Sequence, residues 1–534
     1  MVNRCVLRLG ARGSIEVISP FDAVTQAQLR ALRPRGHWCG QRHCWDFPLE
    51  AAAVLLDRLG SRFAIDPELA CWLQWLEQPL PPLPLHRDLV GAAGLDQDLP
   101  DGRRLFAHQR SGVRWLLARR GAVLADAMGL GKTLTALVAA RAMVRLADCR
   151  VVVLAPVGLH AHWRREAAAL QLQLALYSWA APPAELPPAG CVLIADEAHY
   201  AQNLQARRSE ALLRLARHPR LRACWLLSGT PMKNGRPVQL YPLLAAIGHP
   251  LAQDQRAYEL RYCAGHWREQ GGRRIWCAQG ASHLEELQRL VRPLLLHRRK
   301  QDCLDLPPKQ RHHWPVQLAP VQAEAFDQAV ALQLRDYRLR ASLGEVRRDA
   351  ESLAMLTALR QLASAHKLPA AAALIAPLLA RGEPVVVFTA FVASARALHE
   401  QLAPSGGAGL LIGALRADQR QAQVDAFQLG RVPLLVATYG TGGLGFTLHR
   451  ARHVVLLERP WTPGDAEQAE DRCHRIGMTA ALQCHWLQLG VADQLVDGLI
   501  ASKADRIAVV LQQRERLIRR QRLAAMVEEL LSGG

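Results

Sequence analysis

Twice along its 534 residues the chain alternates short apolar runs of strand length with longer helical stretches, and that alternation limits the fold more than any other feature. Between about 100 and 300 the runs are Gly121–Ala125, Val151–Ala155, Cys191–Ala195 and Cys224–Leu227. Each ends in a polar or Gly-rich turn that opens toward helical sequence. Near-continuous apolar strands joined by helices belong to parallel sheets covered on both faces. The pattern returns at Val385–Thr389, Leu434–Thr438, Val454–Leu457 and Cys484–Leu487. Two α/β domains follow, and the length suits about three domains in all.

The rest of the chain divides around these two. Residues 1–95 read as a separate α+β module, with helical sequence at Leu29–Leu32 and Ala51–Leu59 and a strand at His43–Phe47. The Pro-rich stretch Pro79–Pro84 reads as a stiff linker. The first α/β domain occupies 96–310, with a helical insertion at about 240–300. Residues 311–370 form a helical insertion or linker, 371–500 the second α/β domain, and 501–534 an Arg-rich helical tail. Only about fifty residues separate Phe388 from Thr438, which leaves no room for a large inserted domain there.

Composition narrows the function classes. With 50% apolar and 21% charged residues the chain is of folded rather than disordered type. Met1–Phe21 holds no apolar run of signal-peptide type, and no stretch reaches about 18 uninterrupted apolar residues, so no membrane is expected. The longest apolar run, Leu368–Ala380, contains Pro369 and Pro377 and reads as a core helix. Twelve scattered cysteines, several inside strand-like runs (Cys149, Cys191, Cys224), point to reduced thiols and a cytoplasmic location. His37, Cys39, His43 and Cys44 cluster without a second ligand pair at zinc-finger spacing. The formal charge is +19, and only six of the 66 basic residues are Lys. Such Arg bias suits a GC-rich bacterial genome, and the excess over acid favours a polyanion partner, because basic groups that neutralise phosphates release counterions.

The chemistry concentrates at the ends of the apolar runs. Ala125-Asp126-Ala127-Met128-Gly129-Leu130-Gly131-Lys132-Thr133 follows a strand and precedes a helix. Glycines there let backbone N–H groups close around phosphate oxygens, and the helix N-terminus adds a positive dipole end. Lys132 can reach the β- and γ-phosphates and Thr133 can hold Mg²⁺. Asp126 stands where the simple phosphate-loop pattern wants Gly. Further on, Asp196-Glu197-Ala198-His199 ends another strand. Asp196 can hold Mg²⁺ and Glu197 can orient and deprotonate the attacking water, the division of labour that phosphoryl transfer needs. Arg472 and Arg475 lie three apart, which on a helix gives them a common face, and they are candidates for arginine fingers. Glu470 and Asp471 beside them also allow a surface ion-pair helix.

These motifs together with Ser228-Gly229-Thr230-Pro231 resemble the Snf2 family of superfamily 2 motors. Phe106-Ala107-His108-Gln109 resembles the segment that places an adenine-reading Gln, here Gln109. Leu154-Ala155-Pro156 with Trp163 resembles a block that lines the DNA path. Ala437 to Phe446, Pro460-Trp461-Thr462-Pro463-Gly464 and Gln468 to Gly477 resemble blocks of the family's second lobe. Ala127 and Met478 stand where the family usually has Glu and Gln. The resemblance spans roughly 100–500 in the family's order. Arg261-Tyr262-Cys263, Leu294 to Lys300 and Leu306-Pro307-Pro308-Lys309 resemble a subset related to fork-remodelling, strand-annealing motors, and Trp45-Asp46-Phe47-Pro48-Leu49 resembles its small DNA-structure-sensing module.

The resemblance implies two RecA-like lobes with parallel sheets, helical insertions and a small N-terminal α+β module. It implies catalysis by Lys132, Asp196, Glu197, Arg472 and Arg475, and nucleotide contacts from Gln109, Met128, Gly129, Leu130, Gly131, Lys132, Thr133 and Gly445. Coupling or DNA contacts fall to Pro156, His199, Ser228, Thr230, Thr438 and Gly440. The implied activity is ATP- and Mg²⁺-dependent translocation on double-stranded or branched DNA without classical strand unwinding, by a monomer. Two alternatives stay open: a remodeller of protein–DNA complexes such as stalled RNA polymerase, with a repair or transcription protein as partner, and a catalytically silent DNA-binding scaffold.

Overall fold

The computed structural model describes residues 5–10, 14–33, 35–47, 51–67, 69–70, 86–147, 149–187, 190–270, 272–342, 348–403, 407–442, 446–490, 493–494, 503 and 506–511. The Pro79–Pro84 linker, the Arg-rich tail at Gln512–Arg522 and Gly445 lie outside them. The chain forms two compact units, the first mainly Met1–Ala127 and Gly131–Arg298, the second mainly Arg299–Asp505.

The first unit begins with a five-stranded sheet of β1 (Val6–Gly10), β2 (Ser14–Ile18), β3 (His37–Cys39), β4 (Cys44–Phe47) and β5 (Ala64–Ile65), ordered β3-β4-β2-β1-β5. Helix Ala23–Ala31 is started by Asp22, whose carboxylate accepts from Val24 and Thr25 N–H. It buries Leu29, and helix Ala52–Leu59 buries Leu55 and Leu59, against Leu7, Ile15 and Phe47 of the sheet. The module is not a unit of its own: its core runs continuously into that of the first α/β sheet. Helix His86–Ala93, placed in the module from sequence, packs Leu89 and Ala93 into the α/β core instead.

That α/β core is a six-stranded sheet of β6 (Gly121–Leu124), β7 (Arg150–Ala155), β8 (Ala175–Ser178), β9 (Cys191–Asp196), β10 (Leu221–Leu227) and, after the β11–β12 pair described next, β13 (Leu295–Leu296). The order is β13-β6-β10-β9-β7-β8 and every pairing is parallel. The four strands read from sequence are its fully buried centre. β8 and β13 were missed because one is half-buried and the other only two residues long. The insertion at about 240–300 is not all helical: β11 (His266–Gln270) and β12 (Arg273–Cys277) form an antiparallel hairpin between helices Gln255–Tyr262 and Leu284–Val291.

The second unit carries another all-parallel six-stranded sheet: β14 (Lys309–Pro315), β15 (Val385–Thr389), β16 (Ala408–Leu411), β17 (Leu434–Thr438), β18 (His453–Leu456) and β19 (Leu482–Gln488), ordered β14-β19-β18-β15-β17-β16. From sequence, residues 309–310 fall at the end of the first α/β domain and 311–315 at the start of the helical linker. They form an edge strand, polar because one of its sides stays wet. Helices Pro320–Ser342 and Arg348–Ala380 supply the expected helical stretch. Among the described residues one helix, Ala354–Ala380, is long and apolar enough to cross a membrane by length and composition. It behaves as a core helix, since Leu356, Ala363, Ala371 and Ile375 are buried. Its buried cations have partners: Arg360 donates through Nη2 to the Arg459 carbonyl, and Lys367 pairs with Asp493 and bonds the Leu457 carbonyl at 2.9 Å.

Candidate functional site

Parallel strands deliver their chemistry at their carboxyl ends, where the chain order switches direction across the sheet. In the first unit β6, β10, β9 and β7 lie side by side in that order, with Leu124 opposite Leu227 and Leu227 opposite Asp196. The phosphate loop after β6, Asp196-Glu197 after β9, Ser228 after β10 and Pro156 after β7 therefore rise at one rim. Helix Lys132–Ala147 starts at the end of the loop, so its N-terminal N–H groups open there too.

The loop is held from beneath. The Asp126 carboxylate, 1% exposed, pairs with the Arg298 guanidinium, Nε donating to Oδ1 at 2.9 Å and Nη2 to Oδ2. The same guanidinium donates to the Ser111 hydroxyl at 2.7 Å and to the His108 carbonyl, and Ala127 N–H donates to the Arg298 carbonyl at 2.9 Å. Asp126 thus takes the place of a loop glycine as a structural anchor, not as a phosphate ligand. Sequence reading left this pair unassigned. The available signal was the basic run His297-Arg298-Arg299-Lys300 directly after a two-residue apolar strand.

Gly129 and Gly131 sit at φ +87° and +77°, where other residues are strained. A Cβ on Gly131 would strike the Gln109 amide. Gln109 thus lies against the phosphate loop, its Oε1 accepting from Phe106 N–H at 3.1 Å. Met128 and Leu130 are buried and Thr133 is half-buried. Lys132 Nζ donates to the Asp126 carbonyl at 2.7 Å and the Ala127 carbonyl at 3.4 Å, which keeps the ammonium within the loop.

Asp196 ends β9 almost fully buried, with Oδ2 accepting from Trp163 Nε1 at 2.8 Å and Oδ1 from Glu197 N–H at 2.9 Å. Trp179 Nε1 holds the Asp196 carbonyl at 2.9 Å. Burial, with the Glu197 charge adding, pushes the Asp196 carboxyl up to about 6, against the opposing pull of the Trp163 bond and Lys132. Trp163 was expected beside a DNA path. It is wholly buried and orients the acid instead.

Glu197 adopts φ 50°, ψ 49°, a left-handed conformation that a side chain beyond glycine rarely takes. Its carboxylate lies 3.2 Å from His199 Nδ1, which in turn lies 3.5 Å from both the Ser228 and Thr230 hydroxyls. Thr230 N–H donates to Ser228 Oγ at 3.2 Å, and Gln202 clamps the Thr230 and Pro231 carbonyls at 3.1 and 2.7 Å. Ser228 is fully buried, which keeps its hydroxyl out of direct contact with a polymer. Pro156 caps a short 3₁₀ turn and is half-buried. One imidazole thus stands between Glu197 and the Ser228–Pro231 turn.

In the second unit Thr438 Oγ1 lies 3.0 Å from Thr441 Oγ1 at the end of β17, and Gly440 stands in the short helical turn Tyr439–Gly442 with open space at its Cβ position. Helix Pro463–Cys473 stops at Cys473, with His474 at ψ 82°. Arg472 and Arg475 therefore do not share a helical face as their spacing implied. Arg475 folds back, Nε donating to the Asp471 carbonyl at 3.1 Å and Nη1 to Thr447 Oγ1 at 2.9 Å, while Arg472 is 4% exposed. Nor is this a surface ion-pair helix. Glu470 is fully buried and receives Lys309 at 2.9 Å, Arg311 at 2.7 Å and Trp486 Nε1 at 2.9 Å. Asp471 receives Lys300 at 3.0 Å and Lys309 at 3.3 Å. Burial opposes both charges, but these cations outweigh it and hold both carboxyls below the usual range. Burial also pushes the Lys300 ammonium down to about 8 despite Asp471.

The sequence is similar to families and proteins already described. Residues 108–178 and 190–368 match the SNF2-related domain, and residues 366–477 match the helicase conserved C-terminal domain. The chain is similar to the DNA annealing helicase and endonuclease ZRANB3 of Mus musculus, 29% identical over 77% of this chain and 41% of that protein. It is similar to the putative ATP-dependent helicase/translocase YwqA of Bacillus subtilis, 26% identical over 78% of this chain and 50% of that one. The SWI/SNF-related matrix-associated actin-dependent regulator of chromatin subfamily A-like protein 1 of Bos taurus is 29% identical over 94% of this chain and 55% of its own length. The chain spans about half the length of these relatives. Among solved structures, the Sulfolobus solfataricus SWI2/SNF2 ATPase core in complex with dsDNA matches 78% of this chain and 96% of its own at 21% identity, with a TM-score of 0.35. With both domain matches falling on its two parallel sheets, the chain belongs to the Snf2 family of helicase-like ATPases.

Proposed function

We propose that the protein is a DNA-dependent ATPase that translocates on double-stranded DNA and remodels structures such as forks. The observation that carries this reading is the chain of contacts from Glu197 through His199 to Ser228 and Thr230. It joins the group that activates water to a turn at the same rim, so hydrolysis and polymer contact are mechanically linked. The +19 charge supports backbone tracking, which is sequence-independent and sensitive to salt.

The roles follow from chemistry at each atom. Lys132 exchanges its carbonyl partners for phosphate oxygens when nucleotide enters. Glu197 takes the proton of the attacking water, its carboxylate standing 3.2 Å from His199 Nδ1 on a left-handed turn. Asp196 and Thr133 fit Mg²⁺, since each Asp196 oxygen keeps a lone pair beyond its single described bond. An ion held there by Asp196 and Thr133 would supply charge neutralisation to the phosphates. Arg472 and Arg475 serve as arginine fingers once released from their resting contacts. The relatives named for annealing DNA favour branched DNA as substrate, and free thiols at the described cysteines suit a cytoplasmic, nucleoid-associated place.

The test is steady-state ATPase with no DNA, single strand, linear duplex and a fork, using Lys132→Ala and Glu197→Gln as controls. The expected result is stimulation greatest on the fork, with turnover in both variants down by at least about 10³-fold and DNA binding kept. Full activity in both variants refutes the site. Equal stimulation by every duplex turns the search to protein–DNA complexes as substrate.

A further inference from the structure

The β11–β12 hairpin takes no part in nucleotide chemistry, yet it is built with care. Its register sets Trp267 opposite Trp276, Arg268 opposite Ile275 and Gln270 opposite Arg273. A two-stranded ribbon is marginal alone, so its base needs an anchor. Trp276 supplies one, its indole N–H donating to the Glu259 carboxylate of the neighbouring helix while its ring edge fills the space beside Gly265.

Trp267, by contrast, is 52% exposed. Its ring meets Trp276 edge-on at 5.6 Å and 72°. The Arg256 guanidinium lies 3.0 Å from the Trp276 ring centre and 4.8 Å from that of Trp267, and Arg274 lies 5.7 Å from the latter. The other side of the ribbon presents Ile275, 47% exposed, between Arg268 and Arg273. The two strands hold three arginines and one acid, Glu269. Water solvates an indole face and an isoleucine poorly, so leaving both exposed along the ribbon is unfavourable unless something covers them. Flanking arginines exclude an apolar or cationic cover and select a polyanion that also offers flat π faces. Unpaired nucleic acid has both properties, whereas the bases of a blunt duplex are already stacked.

We propose that the hairpin is a second DNA contact, with Trp267 stacking on an unpaired base where duplex gives way to single strand and Arg268, Arg273 and Arg274 holding the adjoining phosphates. This rests on DNA being the substrate and names the part of it the hairpin reads: the unpaired arm of a fork.

The test uses the full chain and three fluorescent probes, a dT₂₀ strand, a fork with single-stranded arms and a blunt duplex, followed by anisotropy across salt. Trp267→Ala is expected to weaken dT₂₀ and fork binding by about 5- to 150-fold, with Trp267→Phe recovering part of it, and to leave blunt-duplex affinity and DNA-free ATPase unchanged. Trp267 is half exposed, so the variant keeps its core, which circular dichroism checks. Independently, Arg273→Gln with Arg274→Gln should lower the single-strand salt slope by about 1.4. Wild-type dT₂₀ affinity in Trp267→Ala, or an equal loss on blunt duplex, overturns the proposal. If no DNA stimulates ATPase but dT₂₀ binding still depends on Trp267, the motor reading fails and the hairpin stands.

Discussion

Removing Arg298 should damage the phosphate loop without touching a single phosphate ligand. The Asp126 carboxylate is 1% exposed and has two guanidinium bonds; the guanidinium is 15% exposed and bonds Ser111 and His108 besides. Arg298→Ala leaves a buried carboxylate without its cation, a loss of about 3–5 kcal/mol. Asp126→Ala should cost less, about 1.5–3 kcal/mol, because Arg298 keeps its other two bonds and some access to water. The double variant removes the stranded charge along with its partner. It should therefore be more stable than Arg298→Ala alone, giving a coupling energy above about 2 kcal/mol. The assay is urea unfolding of the four proteins by circular dichroism and tryptophan fluorescence, taking the first transition because the chain has two units. A shift of about 1–2 M is expected for Arg298→Ala. ATP affinity should fall in parallel, since Ala127 is hung from the Arg298 carbonyl and Lys132 from the Asp126 carbonyl. Additive single effects, or a cost below about 1 kcal/mol, would show that the pair does not brace the loop.

Two further outcomes test the scaffold. His249 is buried with Nε2 3.0 Å from the Leu290 carbonyl and Nδ1 accepting from Leu251 N–H at 3.1 Å, so only the neutral Nε2–H tautomer fits. Burial pushes its pKa down to about 4 from 6.5. The unfolded chain therefore binds more protons between those values, and about 3 kcal/mol present above pH 6.5 is lost as pH falls to about 4. His249→Asn, which keeps an acceptor for Leu251, should flatten that part of the stability–pH curve, and an unchanged slope refutes the assignment. In the second unit, a fragment of residues 299–534 keeps β14 on the edge of its sheet, whereas one of residues 316–534 bares β19. It also strips Lys309 and Arg311 from buried Glu470. Size-exclusion chromatography should find the longer fragment monomeric and the shorter one self-associated; equal behaviour would dismiss β14 as a cover.

Much of this molecule was legible because its central strands are buried on both faces. Val151–Ala155, Cys191–Ala195 and Val385–Thr389 could be read as apolar runs, and the polar residues that end them mark the rim of the sheet. The peripheral strands were not legible. β14 reads Lys-Gln-Arg-His-His-Trp-Pro, and nothing local distinguishes an edge strand whose neighbour lies some 170 residues away from a polar linker. Site residues whose type is dictated by chemistry, Lys132, Asp196 and Glu197, stood out. Residues that position them did not, because Arg298 and Trp163 act through partners 172 and 33 residues distant. The shared face of Arg472 and Arg475 failed for a local reason, the end of the helix at Cys473.

Glu197 stands where the backbone would be more comfortable with glycine. A side chain in that conformation costs roughly 1–2 kcal/mol, a strain that persists only because Trp179, Trp163 and the β9 pairing overdetermine the turn. With Glu197 in the role proposed for it, the residue best for folding and the residue best for turnover differ at this one position. Substitutions drawn from stability alone would drift toward glycine here and silence the enzyme while making it sturdier, so a variant's resistance to heat is no guide to whether its motor still runs.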